Sequence, residues 1–296
     1  MAWRGVHIAK PARLSFADGQ IVINQDDGSI RLPLEDIACL ILDTPQITVT
    51  CAMLSACAGQ GVAVIVPDAK HHPAGMLLPF HQHYAQAHVA QAQVETSEPF
   101  RKRCWQAIVK AKINNQASVA AMRDATAAKA LRAMAGQVGS GDPDNVEARA
   151  ARAYWGALFD DFRRSDENDR RNACLNYGYA IARAALARGL VACGLLPAFG
   201  LHHRSRTNAF NLVDDLIEPL RPMIDRLVAQ HAPAPSTAAL SKEDRQILVG
   251  VLTETVWIEQ EKLTLLAAVE KIAASLVRAI DAGSAAVLLQ PALDAP

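Results

Sequence analysis

The chain is poor in features that would staple it covalently, thread it through a membrane or mark it for a familiar chemistry. Its six cysteines, Cys39, Cys51, Cys57, Cys104, Cys174 and Cys193, stand singly and mostly inside apolar runs, with no CxxC pair. That excludes a thiolate zinc site and a dithiol exchange motif, and the six read as reduced core residues. No stretch is long and uncharged enough to cross a bilayer, and the opening MAWRGVHIAK lacks a continuous apolar segment with a cleavage site, so a cytoplasmic protein is expected. GxSxG, a phosphate-binding P-loop and a dinucleotide fingerprint are all missing, which removes acyl transfer, Walker-type hydrolysis and hydride transfer. Net charge is missing too, with 30 basic residues against 30 acidic ones.

What is present is a folded chain of 296 residues, half apolar and one fifth charged, long enough for a small domain joined to a larger one. Up to about residue 80, β-branched runs such as VHIAK, LSFADGQIVIN, IRLPL, CLILD, QITVT and VAVIVPD alternate with turn formers like Asp18-Gly19 and Asp27-Gly28. They predict a β-rich domain over 1–80, with one short helix at Cys51 to Gly59. Residues 81–98 read as a linker. Residues 99–283, rich in Ala, Leu, Arg and Glu at helical spacing, predict an all-helical domain, and 284–296 a loose tail. The fold class is therefore α+β.

Zero net charge hides an asymmetry. Residues 101–132 carry Arg101, Lys102, Arg103, Lys110, Lys112, Arg123, Lys129 and Arg132 against Asp124 alone, and residues 148–206 carry ten arginines against five acids. A one-sided distribution of this kind predicts an anion-facing surface. The competing explanation is a set of solvated helix faces.

The segment Gly194 to Pro222, GLLPAFGLHHRSRTNAFNLVDDLIEPLRP, gathers two histidines and three carboxylates behind an irregular Pro/Gly turn. Carboxylates near a core are costly to desolvate, and such a cluster binds a cation or moves protons. Asp215 and Glu218 sit at i, i+3 and Asp214 and Glu218 at i, i+4, so like charges would repel unless a cation lay between them. Upstream, Glu147 begins a helix behind Asp144-Asn145, offered as its N-cap. Glu147 is either a dipole-stabilised first-turn acid or part of the cluster. Oxygen donors with one imidazole suit Mg²⁺ or Mn²⁺. Arg221, one turn past Glu218, could steady a carboxylate or a phosphate. His81, His83 and His88, with His71-His72, read as a solvated linker in preference to a zinc cluster. Tyr154, Trp155, Tyr177 and Tyr179 read as packing, with Tyr154 the exception because it shares the Glu147 face.

These blocks resemble a known family. WRGVHIAKPARLSF, KAKINNQA, the Glu147 helix with AYWGALF, and LNYGYAIARAALARGLVACGLLPAFGLHHRSRTNAFNLVDDLIEPLRP are similar to the CRISPR-associated integrase in its type II form. The resemblance runs from residue 3 to about 275 and implies a metal-dependent endonuclease that inserts short DNA fragments into a repeat array by 3′-hydroxyl attack. It also implies a homodimer contacting through the β-rich domain, double-stranded DNA as substrate, and a small dimeric CRISPR-associated subunit bridging two dimers. Glu147, His203 and Glu218 match the family's catalytic and metal-binding triad, with His202 as the rival imidazole and Asp215 as an accessory acid. Lys112, Arg204, Arg206 and Tyr154 are assigned to DNA. Two other classes stay open: a non-catalytic DNA-binding scaffold, and a metal-dependent hydrolase of a small phosphoester.

Overall fold

A computed structural model of the chain describes residues 2–68, 73–79 and 83–295; His71, His72 and His81 lie outside them. The β-rich part runs β1 (Arg4–Ile8), β2 (Ala12–Ala17), β3 (Gln20–Gln25), β4 (Gly28–Pro33), β5 (Ile37–Leu42), β6 (Ile47–Val49), α1 (Cys51–Gly59), β7 (Ala63–Pro67) and β8 (Pro73–Leu77). Asp18 and Gly19 both take positive φ, 53° and 74°, the two-residue turn whose twist suits a hairpin, and they join β2 to β3. Two four-stranded sheets result, ordered β4-β3-β2-β6 and β1-β5-β7-β8. In the second, β1, β5 and β7 are parallel and β8 closes the edge antiparallel.

That second sheet is covered on both faces, as parallel strands require. Along β7, Val64 faces the small core between the sheets, whereas Ala63 and Ile65 face the large core of the helical part. The continuous apolar run of β5 has the same cause.

The helical part comprises α2 (Gln86–Val94), α3 (Glu98–Ala120), α4 (Ala125–Gln137), α5 (Val146–Leu158), α6 (Arg170–Ala192), α7 (Asn211–Leu216), α8 (Arg221–His231), α9 (Lys242–Val249) and α10 (Leu265–Asp281). A small antiparallel sheet, β10 (Glu261–Thr264), β9 (Thr255–Ile258) and β11 (Pro291–Ala292), is set among these helices. Helix α6 runs through the middle. A Cβ at Gly178 would stand 2.5 Å from Ile224 Cγ2, so glycine there lets α8 approach closely. Arg188 on α6 reaches the carbonyl of Gly61 at 2.7 Å and Glu270 on α10 at 2.6 Å, tying the two parts together. Arg245 on α9 does the same from the other side, pairing with Asp43 at 2.8 Å, which also takes His7 at 2.9 Å.

Three expectations change. The part expected to be all-helical over 99–283 also holds the β9–β10 hairpin, whose strands pair through Thr255–Ile258 and Glu261–Thr264. The segment read as a linker over 81–98 contains α2, and Gln93 on it is buried. The tail is not loose: β11 pairs with β9 and Leu288 is buried. Its anchor is Asn115, a buried amide on α3 that donates to the carbonyls of Pro219 and Pro291 and accepts from the Leu293 amide. A buried amide needs such partners, and the tail supplies two of them.

Candidate metal centre

Glu147 is placed by the start of α5. The expected cap at Asp144-Asn145 is replaced by Asp142, whose carboxylate accepts the amides of Val146 at 2.9 Å and Glu147 at 3.0 Å; Asn145 itself adopts φ 48° and caps nothing. Glu218 follows the end of α7, where Pro219 tightens the chain into a 3-10 turn and Glu218 is left 5% exposed. Lys112, from α3, lies between them: its Nζ is 2.5 Å from Glu147 Oε1 and 2.5 Å from Glu218 Oε2. The two carboxylate oxygens are therefore no farther apart than these two contacts laid end to end. Arg221 Nε adds 3.0 Å to Glu218 Oε1, the role expected of it.

The charges balance locally. Burial pushes the Glu218 carboxyl up, but Lys112 and Arg221 outweigh it and hold the group below the usual carboxylate range. For Lys112 burial acts downward, and the two glutamates more than reverse it, raising its pKa.

The histidine pair divides its duties. The two rings are nearly perpendicular, at 89°. His202 lies flat on Trp105, with centroids 4.1 Å apart and planes 4° from parallel, and burial lowers its pKa. His203 turns its Nδ1 to Asp215 Oδ1 at 2.6 Å, and that hydrogen bond raises its pKa. Asp215 is wholly buried and also accepts the backbone amides of Leu201, His202 and His203 at 2.6, 3.0 and 3.1 Å. Its oxygens are thus committed to shaping the loop and aiming one imidazole, as a carboxylate behind a metal-bound histidine does. Gly200 makes this possible, since a Cβ there would come within 2.7 Å of Asp215 Oδ2 and 2.5 Å of the His203 carbonyl.

Glu147 and Glu218 thus already grip one cation, and His203, on the neighbouring loop, has its Nδ1 bonded to Asp215. Among the described residues no three His, Cys, Asp or Glu side chains stand closed around a metal position. The donor chemistry of two oxygens and one imidazole nevertheless fits Mg²⁺ or Mn²⁺.

The family model CRISPR associated protein Cas1 matches residues 6–234. The chain is 41% identical over 280 residues to the CRISPR-associated endonuclease Cas1 of Neisseria meningitidis serogroup C (strain 8013), covering 93% of this chain and 91% of that one. The chain belongs to the Cas1 family. Its fold is that of a Cas1 protein from Thermotoga maritima, with TM-score 0.74 at 17% identity over 94% of this chain and 97% of that one. A casposase bound to its integration product gives TM-score 0.75 at 16% identity, over 95% and 91%.

Within this Cas1 family member, two of the residues assigned to DNA stand elsewhere. Tyr154 is 0% exposed, and its hydroxyl donates to Asp225 at 2.9 Å, so its ring faces the core and offers no platform for a base. Lys112 serves the glutamates, with a side chain only 13% exposed. Arg204 and Arg206 are exposed on the loop that carries His203, and Arg204 lines a cleft of about 340 Å³ together with Arg101, His203 and Asn211. Among the described residues, His83 and His88 gather no metal cluster. Asp214 turns away to Arg183 at 2.9 Å.

Sequence reasoning passes over the groups that fix the His203 loop. Gln93 donates to the carbonyls of Leu196 and Phe199 and accepts from the Leu196 amide, and Asn211 bonds the carbonyls of Ala198, Ser205 and Asn208. Lone amides have no periodic signature, and Gln93 lies about a hundred residues from its partners. Trp105 belongs to an apolar stripe in the sequence, and that stripe hides its second task as the surface on which His202 rests.

Proposed function

We propose that Glu147, His203 and Glu218 hold one divalent cation, Mg²⁺ or Mn²⁺, and that with it the chain acts as a DNA endonuclease and integrase. It inserts short foreign-DNA fragments into a CRISPR array by attack of their 3′-hydroxyl ends on phosphodiesters. The observation that carries the reading is the meeting of Glu147, on α5, and Glu218, in the turn after α7, on the single cation of Lys112. The relative from Neisseria, named an endonuclease, supports the reaction class, and the casposase, solved on an integration product, supports strand transfer.

When bound, such an ion supplies Lewis acidity at a phosphodiester oxygen and orients a hydroxyl for in-line attack. The chain's own groups do the rest. Asp215 takes the Nδ1 proton of His203 as a hydrogen bond, which fixes the tautomer with Nε2 free to ligate. Arg221 keeps Glu218 ionised and in place. Arg204 and Arg206 present cations beside His203 for a phosphate backbone. The family resemblance adds a homodimer formed through the β-rich domain and a small dimeric CRISPR-associated subunit bridging two such dimers. A task on a cellular DNA array fits a cytoplasmic enzyme. Among the described residues no helix is long and apolar enough to cross a membrane.

Glu147→Gln, His203→Ala and Glu218→Gln should each reduce metal-dependent strand transfer to background while DNA binding persists, measured by joining of a labelled duplex to a repeat-containing plasmid. Full activity in all three would overturn the assignment.

A further inference from the structure

We propose that Lys112 is a built-in competitor for the divalent cation, occupying the position between Glu147 and Glu218 and leaving at least one of them when the ion binds. The inference rests on the metal reading above and concerns a residue to which that reading gives no task once the ion is bound. Two carboxylates side by side repel, and one of these, Glu218, is buried where an uncompensated charge would be costly. The ammonium at 2.5 Å from each cancels that repulsion. It therefore holds the two ligands together before any metal arrives.

Lysine suits this task better than arginine. Its charge is compact and its four-carbon stem flexible, so it can swing aside, whereas the planar guanidinium of Arg221 remains fixed on Glu218. Lys112 sits on α3, a helix of 23 residues whose apolar side is sunk in the core, so the stem is anchored and the head moves within its own length. Charge counting gives a consequence for the substrate. Two glutamates against Lys112 and Arg221 sum to zero; a divalent ion brings the group to plus two, opposite in sign to a phosphodiester backbone. The same lysine thus suppresses metal loading and afterwards makes the loaded site more cationic.

Lys112→Met keeps the stem and removes the charge. Isothermal titration with Mn²⁺ at fixed pH and ionic strength should show the variant binding on the order of tenfold or more tightly than the wild type, because a like charge next to the ion is gone. The rise in melting temperature on adding Mn²⁺ should be larger as well. Equal or weaker binding by the variant overturns the proposal and leaves the metal site standing; no Mn²⁺ bound to either protein overturns both. Should the variant fail to fold without metal, a crystal structure of the wild type with Mg²⁺ decides. Lys112 Nζ out of contact with at least one glutamate is expected, and Nζ still on both beside the bound ion refutes it.

Discussion

Two buried aspartates near the site meet opposite fates. Asp215 accepts three backbone amides and bonds the His203 imidazole, so its oxygens shape the loop and aim the ring. Asp225 lies under Tyr154 and Tyr179, both of which donate to it, yet burial outweighs those bonds and raises its pKa to about 7. In the folded state Asp225 therefore keeps a proton that the unfolded chain releases near the ordinary value of 3.8. Its contribution to stability is full below that value and is lost as pH rises towards and through about 7, at about 1.4 kcal/mol per pH unit. Asp225→Asn removes the titration and keeps the shape. Between about pH 5 and pH 7 the wild-type melting temperature should fall more steeply than that of the variant. Parallel curves would show that Asp225 is ionised in the fold.

At the scale of elements, the site depends on how the loop between α6 and α7 is braced. Gln93, Asn211 and Asp215 bond its backbone from three sides, and Gly200 allows the chain to pass against Asp215. Gly200→Ala should push Asp215 off His203 and weaken Mn²⁺ binding by about 10- to 100-fold, the usual effect of disturbing a carboxylate behind a metal-bound histidine. Unchanged affinity in calorimetry would mean that the loop tolerates the methyl group. Strands β1 to β7 and the helices after residue 98 were legible because period-two and helical patterns record which side is buried, whereas α2, β8 and the β9–β10 hairpin were not. Glu147, His203 and Glu218 were named as candidates by the carboxylate and histidine cluster and the resemblance, and of these the structure brings Glu147 and Glu218 together on Lys112. The polar clasps were not legible, because Gln93, Asn115 and Lys112 find partners far along the chain and leave no periodic trace. Tyr154 misled for a related reason: sharing a helix side with Glu147 on a wheel did not reveal that α5 turns its ring into the core.

Across the whole molecule, the excess of arginine overstated the basic surface. Of the ten arginines in 148–206, Arg170, Arg171, Arg183 and Arg188 are engaged by Asp244, Asp169, Asp214 and Glu270, bracing helices and the junction between the two parts. Sequence counting cannot separate such internal pairs from free cations. Arg204 and Arg206, exposed beside His203, are the stronger claim on DNA. Replacing both by alanine should weaken duplex binding and flatten its dependence on salt by about 0.9 in log–log slope for each phosphate no longer neutralised. An unchanged slope would place the DNA on another face.

The decisive observation is where a manganese ion sits in a crystal of the wild-type protein. If Glu147, His203 and Glu218 hold the cation together, anomalous scattering will show one peak within about 2.0–2.3 Å of both carboxylates and of His203 Nε2, distances ordinary for metal–oxygen and metal–imidazole bonds. A peak elsewhere, or one that touches the glutamates and leaves His203 out of reach, would contradict the three-residue centre.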